Sequence, residues 1–206
     1  GYGNSIRRVM EQKNREPGIK GVVADIIHVQ KDYEVAIETA LGGSIQNIVT
    51  DNEQTAKRMI GFLKKNRFGR ATFLPLSNIS GRGGLNQRDV LSEPGVVGTA
   101  NTLVNADKEY SELVMYLLGR VLVVDNIDHA IAIGKKYRHS LRMVTIEGES
   151  LSPGGSMTGG AFKNNSNLLG RRREIEELER SVGILRKELE KTLKSCSSIV
   201  IVRSIV

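Results

Sequence analysis

Gly21-Val22-Val23-Ala24-Asp25-Ile26-Ile27 returns 77 residues later as Gly98-Thr99-Ala100-Asn101-Thr102-Leu103-Val104. The same offset carries Tyr33 onto Tyr110, Ile37 onto Val114, and Leu41-Gly42 onto Leu118-Gly119. After a three-residue deletion, Asp51-Asn52 falls on Asp125-Asn126 and Ala56 on Ala130. Chance similarity between two strand–helix units is the rival reading. A shared Tyr, Leu-Gly and Asp-Asn in one order favours true duplication. Each copy reads as a β-branched strand (21–29; 98–104), then a helix with one apolar face (Tyr33, Ala36, Ile37, Ala40, Leu41; Tyr110, Leu113, Val114, Leu117, Leu118). A second strand follows (45–50; 120–124), then a helix opened by the Asp-Asn pair (about 52–65; 126–137), then a last strand (70–76; 141–147). The alternation predicts a mixed α/β, α+β fold of two pseudo-symmetric subdomains built by internal duplication.

The ends of the chain differ from this body. Ile175, Leu178, Val182, Leu185 and Leu189 are spaced 3, 4, 3, 4, with Glu, Arg and Lys between them. That is a coiled-coil seam of about three heptads; an amphipathic helix packed on its own domain is the bland alternative. Near the N-terminus Ile6, Val9 and Met10 make one short stripe that Pro17-Gly18 ends. Two helices at opposite ends of one globule suggest flanking antiparallel coiled-coil arms. The expected divisions are an arm end at 1–18, subdomain I at 19–81, a Gly/Ser/Asn-rich linker at 82–97, subdomain II at 98–162, a C-terminal arm at 163–194 and a non-native or disordered tail at 195–206.

The chain has 206 residues and a net charge of +7, from 30 basic and 23 acidic side chains. Residues 21–162 hold 15 of each sign, so the surplus sits in the flanks. Basic stretches free of acids are candidates for phosphate contact: Lys64, Lys65, Arg67 and Arg70 in the first copy, and Lys163 with Arg171, Arg172 and Arg173 before the seam. A solvated helix face is the bland reading of each. The single cysteine excludes an intramolecular disulfide framework, and no apolar run approaches a membrane span.

Chemistry-bearing patterns are few. There is no P-loop, His28, His129 and His139 make no metal or triad spacing, and Glu147 with Glu149 has nothing to position a substrate. No cofactor or metal is expected. The most unusual segment is Ser152-Pro153-Gly154-Gly155-Ser156-Met157-Thr158-Gly159-Gly160. It reads as a phosphate-cradling loop without its lysine, as a flexible linker, or as an edge strand left bare so that another chain can pair with it.

Three segments together resemble the hinge domain of bacterial SMC (structural maintenance of chromosomes) proteins. They are Tyr33 to Gly42 with Gln46 to Thr50, Gly69 to Pro75, and Val144 to Glu149 followed by Pro153 to Gly160. The resemblance covers about residues 2–194. It implies homodimerisation, subdomain I of one chain meeting subdomain II of the other, with Gly154, Gly155, Ser156, Met157, Thr158, Gly159 and Gly160 at the interface. It also implies arms running to ATPase heads that lie outside this chain, where kleisin-type subunits would bind. DNA binding near the arm junction is a further implication, in a cytoplasmic, nucleoid-associated setting without a membrane. Close relatives can carry a lysine run after the Gly-Gly motif, whereas this chain has Lys163-Asn164-Asn165-Ser166. The fragment itself is not expected to be an enzyme. The alternative from another class is a small-ligand enzyme of duplicated α/β halves, which would show a cleft with convergent polar groups.

Overall fold

The computed structural model describes residues 2–80, 83–161 and 167–203, with side chains described to Ser195. It divides into two compact units, Gly1–Leu169 and Gly170–Val206.

The first unit begins with α1 (Asn4–Met10), whose Ile6 and Val9 are buried in a cluster with Ile19, Val22, Ile48, Met59 and Leu63. The short N-terminal stripe is thus engaged by the body. The first half then runs β1 (Ile19–Val22), α2 (Val23–Ile26), β2 (His28–Val29), α3 (Glu34–Leu41), β3 (Ile48–Thr50), α4 (Glu53–Asn66) and β4 (Phe73–Pro75). The second half follows the same plan: β5 (Val96–Thr99), a 3-10 turn at Ala100–Leu103, β6 (Val104–Asn105), α5 (Ser111–Leu118), β7 (Val121–Val124), α6 (Ile127–Lys136) and β8 (Arg142–Thr145). It then adds two strands, β9 (Ser150–Leu151) and β10 (Met157–Thr158), with no counterpart among the described residues of the first half.

The opening strand expected at 21–29 is split by a helical turn, and so is its twin at 98–104. The cause lies at equivalent glycines. Gly21 and Gly98 both have φ +156, and each ladder slips register beside them. Continuous β-branched sequence suggested one strand, but Gly at each bulge turns the chain out of the sheet.

Pairing repeats as faithfully as order. β3 is antiparallel to β1 and parallel to β4, just as β7 is antiparallel to β5 and parallel to β8. The Asp-Asn caps match too. Asn52 accepts the Thr55 amide, and Asn126 accepts the His129 amide, each at 3.0 Å. A hydroxyl proton donated by Thr55 at 2.7 Å helps hold the Asp51 carboxyl below its ordinary range. The repeat also reaches further back than Gly21. Glu16-Pro17-Gly18 recurs as Glu93-Pro94-Gly95, with Gly18 and Gly95 carbonyls accepting the Asp51 and Asp125 amides. Glu16 pairs with Arg58 of α4, and Glu93 with Lys136 of α6. The lysine depresses the Glu93 carboxyl.

The halves meet about a local two-fold. β2 pairs antiparallel with β6, setting His28 opposite Asn105, its own equivalent at the 77-residue offset. One hydrophobic cluster runs through both halves, including Ile37, Val49, Leu113, Leu118 and Val144. The segment expected as a linker is partly built into the second half: Val90 is fully buried there beside Leu122, Ile133 and Met143. Tyr137 Oη donates to Asp89 and Glu93, both at 3.0 Å, and straps the segment down.

The last helix, α7, is Leu168–Arg203. Its start belongs to the first unit, where Leu169 is buried in the shared core and the Leu168 amide donates to Glu38 at 3.4 Å. The helix continues through 195–203, the segment read as tail, although the heptad phase ends at Lys194.

Candidate self-association edge and basic surfaces

The glycine-rich segment forms a hairpin at the margin of the larger sheet, whose order is β10-β9-β8-β7-β5. Met157 pairs with Leu151 and Thr158 with Ser150, so β10 is bonded on one side and outermost on the other. Residues 153–160 are exposed, with Met157 at 51%. The hairpin loop is pinned rather than loose. Ser152 N–H donates to Ser156 O at 2.9 Å, Gly155 N–H to Ser152 O at 3.0 Å, and Gly154 N–H to His139 O at 2.8 Å. Gly154 and Gly155 have φ +93 and +97, which L side chains rarely adopt. His139 itself lies in the left-handed region at φ +51, closing α6 through an amide bond to Gly134. Of the three sequence readings, the exposed edge strand is the one this geometry matches. An outer strand leaves backbone groups on its open side with which another chain can pair.

The smaller sheet has the order β1-β3-β4, which leaves β4 at its margin. By the repeat, β4 occupies the place of β8, and β9 with β10 fill the position beyond β8 that stays vacant beyond β4. The sequence reading did not name this second edge, although Pro75, which has no amide to give a further strand, is a mark of it.

The basic candidates separate by their partners. Arg172 pairs with Glu176 at 3.0 Å and Arg173 with Glu177 at 2.8 Å, so part of their charge is answered within α7. Arg171 is exposed, and Lys163 lies outside the described residues. Lys64, Lys65, Arg67 and Arg70 are all exposed at the end of α4 and the turn after it. Arg67 takes the left-handed cap position, φ +54, which swings the chain back toward α1. Ser5 Oγ donates to the Arg70 carbonyl at 2.8 Å, and the Arg8 guanidinium stands 5.1 Å from the Phe68 ring centroid. α1 therefore adds Arg8, itself paired with Glu11 at 3.2 Å, to this surface, an addition that needed tertiary contact to see.

The second unit carries the seam. Ile175, Leu178, Val182, Leu185 and Leu189 are 46–66% exposed along α7. A run of large apolar side chains on one stripe of a solvated helix is the pattern by which helices pair in coiled coils.

A cleft of 370 Å³ beside the second half is lined by Leu85, Gln87, Arg120, Ser140, Arg142 and Pro153 among others. Its arginines are engaged structurally, Arg120 on Gly83 O and Arg142 on Ala40 O. Among the described residues its lining holds neither a carboxylate nor an imidazole. Among the described residues no His/Cys/Asp/Glu group could hold a metal, and no helix is long and apolar enough to cross a membrane.

Two like halves, a sheet with an open glycine-flanked margin and a terminal helix with a heptad stripe define a hinge-type association module. The family model described as the SMC proteins flexible hinge domain matches residues 16–134. The chain is 43% identical over 205 residues to the chromosome partition protein Smc of Bacillus subtilis, covering 94% of this chain and 17% of that protein. It therefore spans about a sixth of that relative's length. The crystal structure of an asymmetric dimer of the Geobacillus stearothermophilus SMC hinge domain superposes with a TM-score of 0.83 at 38% identity, covering 93% of this chain and 78% of that one. The Pyrococcus furiosus Smc hinge with an extended coiled coil gives 0.64 at 28%, covering 93% and 69%. The chain belongs to the SMC hinge family.

Proposed function

We propose that this chain is the homodimerisation hinge of a chromosome-partition SMC protein, joining two coiled-coil arms, with DNA contact as a secondary role. The observation that carries the reading is β10, an exposed outer strand flanked by glycine, in a chain that also leaves β4 at a sheet margin. Pairing β10 of one copy with β4 of another would extend both sheets by β-augmentation. Because the two edges lie on different halves, a two-fold dimer makes this contact twice and closes on itself. The asymmetric dimer formed by the related Geobacillus stearothermophilus hinge supports self-association here. The work of such a module is mechanical: it holds two arms together and opens or closes them about a polymer. ATP hydrolysis would belong to heads elsewhere in the parent protein.

The direct test is mass. Sedimentation equilibrium is expected to give twice the 22.6 kDa monomer, and a monomer at micromolar concentration would end the proposal.

DNA contact is carried by the basic surface of the first half, with Arg171 to Arg173 as a second group. Phosphate contacts release counterions, so log affinity falls linearly with log salt by roughly 0.9 per phosphate on a duplex. Reversing Lys64, Lys65, Arg67 and Arg70 to Glu is expected to flatten that slope by about three to four. Reversing Arg172 and Arg173 should flatten it less, since Glu176 and Glu177 already answer them. Fluorescence anisotropy across a salt series measures both, and salt-independent binding would remove the phosphate reading.

A further inference from the structure

We propose that Ile60 of one copy seats in an apolar cleft under the β9–β10 hairpin of a second copy, fixing the face on which the two sheets join. This rests on the self-association proposed above and adds the side-chain contact that would orient it.

The cleft, of about 50 Å³, is bounded by Ile131 and Gly134 of α6, by Met143 and Leu151 in the sheet, and by His139 and Met157. It lies against the edge strand, on the α6 face of the sheet. Met157, half exposed, forms its outer lip. An apolar recess at the rim of a pairing edge is continuous with whatever pairs there.

The occupant follows from α4. Its buried face is Thr55, Ala56, Met59 and Leu63. To one side, Arg58 reaches Glu16 at 2.9 Å, and Phe62 packs with the cluster of α1 and β1. That side looks toward β1, the margin opposite β4. Ile60 is two residues on from Arg58, about 200° around the helix. It therefore lies on the flank toward β4. It is 53% exposed, and among the described residues of the first half it is the one large hydrophobic side chain so placed.

Topology brings knob and cleft together. The β3–α4–β4 and β7–α6–β8 units are parallel crossovers, right-handed as nearly all such units are. β10 runs parallel to β8, since both junctions through β9 are antiparallel. If β10 adds antiparallel to β4, the joined sheet runs β1-β3-β4-β10-β9-β8-β7-β5. The two crossovers then step toward each other with opposed strand directions. Right-handedness places α4 of one copy and α6 of the other on the same face. Ile60 then overhangs the junction from one side, and the cleft opens toward it from the other.

The test is the dimer dissociation constant by sedimentation equilibrium, with thermal melts as the folding control. Ile60 is exposed, so Ile60→Asp should leave the melting of the monomer unchanged. Two such contacts per dimer should raise the constant about a hundredfold. Gly134→Leu attacks the cleft from within. A Cβ there meets His139 Nδ1 at 3.4 Å and Met143 Cε at 3.6 Å, ordinary contacts, and the rest of the side chain would fill the recess. It should weaken the dimer at least tenfold while the chain still melts cooperatively. If the unaltered chain is a monomer, the self-association reading fails and takes this one with it. If it is a dimer and Ile60→Asp leaves its constant within twofold, self-association stands and the Ile60 seat is overturned.

Discussion

Charging the outer strand, Met157→Glu with Thr158→Lys, is expected to turn the dimer into a folded monomer. Both side chains are exposed, so the monomer gives up little, and the hairpin keeps its ladder to β9 and the loop bond from Gly154 to His139. What changes is the edge. Charged side chains on an outer strand are a common way of preventing sheet-to-sheet addition. A loss of about 1.5 kcal/mol at one strand contact is ordinary, and the proposed closed dimer makes the contact twice. The sum, about 3 kcal/mol, corresponds to a dissociation constant raised more than a hundredfold. Sedimentation equilibrium reads this directly, and an unchanged melting curve of the dilute protein shows the fold intact. A dimer of undiminished affinity would mean that association uses another surface, with the β1 and β5 margins the first to examine.

The order of elements was legible because duplication writes the same cues twice. Asp51-Asn52 and Asp125-Asn126 open helices through one cap geometry, and apolar faces repeated at the helical period mark α3 and α5. The hairpin was legible as an edge because glycines at loop positions and an exposed Met-Thr pair leave little for a core. What stayed hidden was tertiary. The splitting of β1 from β2 and of β5 from β6 goes with Gly21 and Gly98 at φ +156, and a glycine in a β-branched run suggests a bulge without giving its direction. The Glu-Pro-Gly repeat was in plain view, but Glu16 and Glu93 gained meaning only when each reached a cation on the following long helix. Ile6 and Val9 have the spacing of an arm and the burial of a core, and spacing alone cannot separate the two. The margin at β4 had only one sequence mark, Pro75, which lacks the amide a central strand would use.

Truncating Leu118 to Ala should lower the stability of both halves together. The side chain is fully buried at the end of α5, in the cluster that also contains Ile37 and Val49 of the first half. Its removal costs transfer free energy plus the cavity left behind, about 2–5 kcal/mol for such a site. A chain of this size loses roughly 2–4 °C of melting temperature per kcal/mol, so a fall on the order of 10 °C is expected. The informative outcome is its distribution. The halves share more than apolar contact: β2 pairs with β6, Arg142 Nη2 donates to the Ala40 carbonyl at 2.7 Å, and Lys20 meets Glu109 at 3.4 Å. With the core and these bonds crossing the local two-fold, neither half retains its buried face once the other opens. Hydrogen exchange should therefore show amides of β3 and β7 losing protection in step. Protection that persists in β3 after β7 has exchanged would show that the halves are independent folding units. The body would then yield within a chain as well as at the proposed contact between chains.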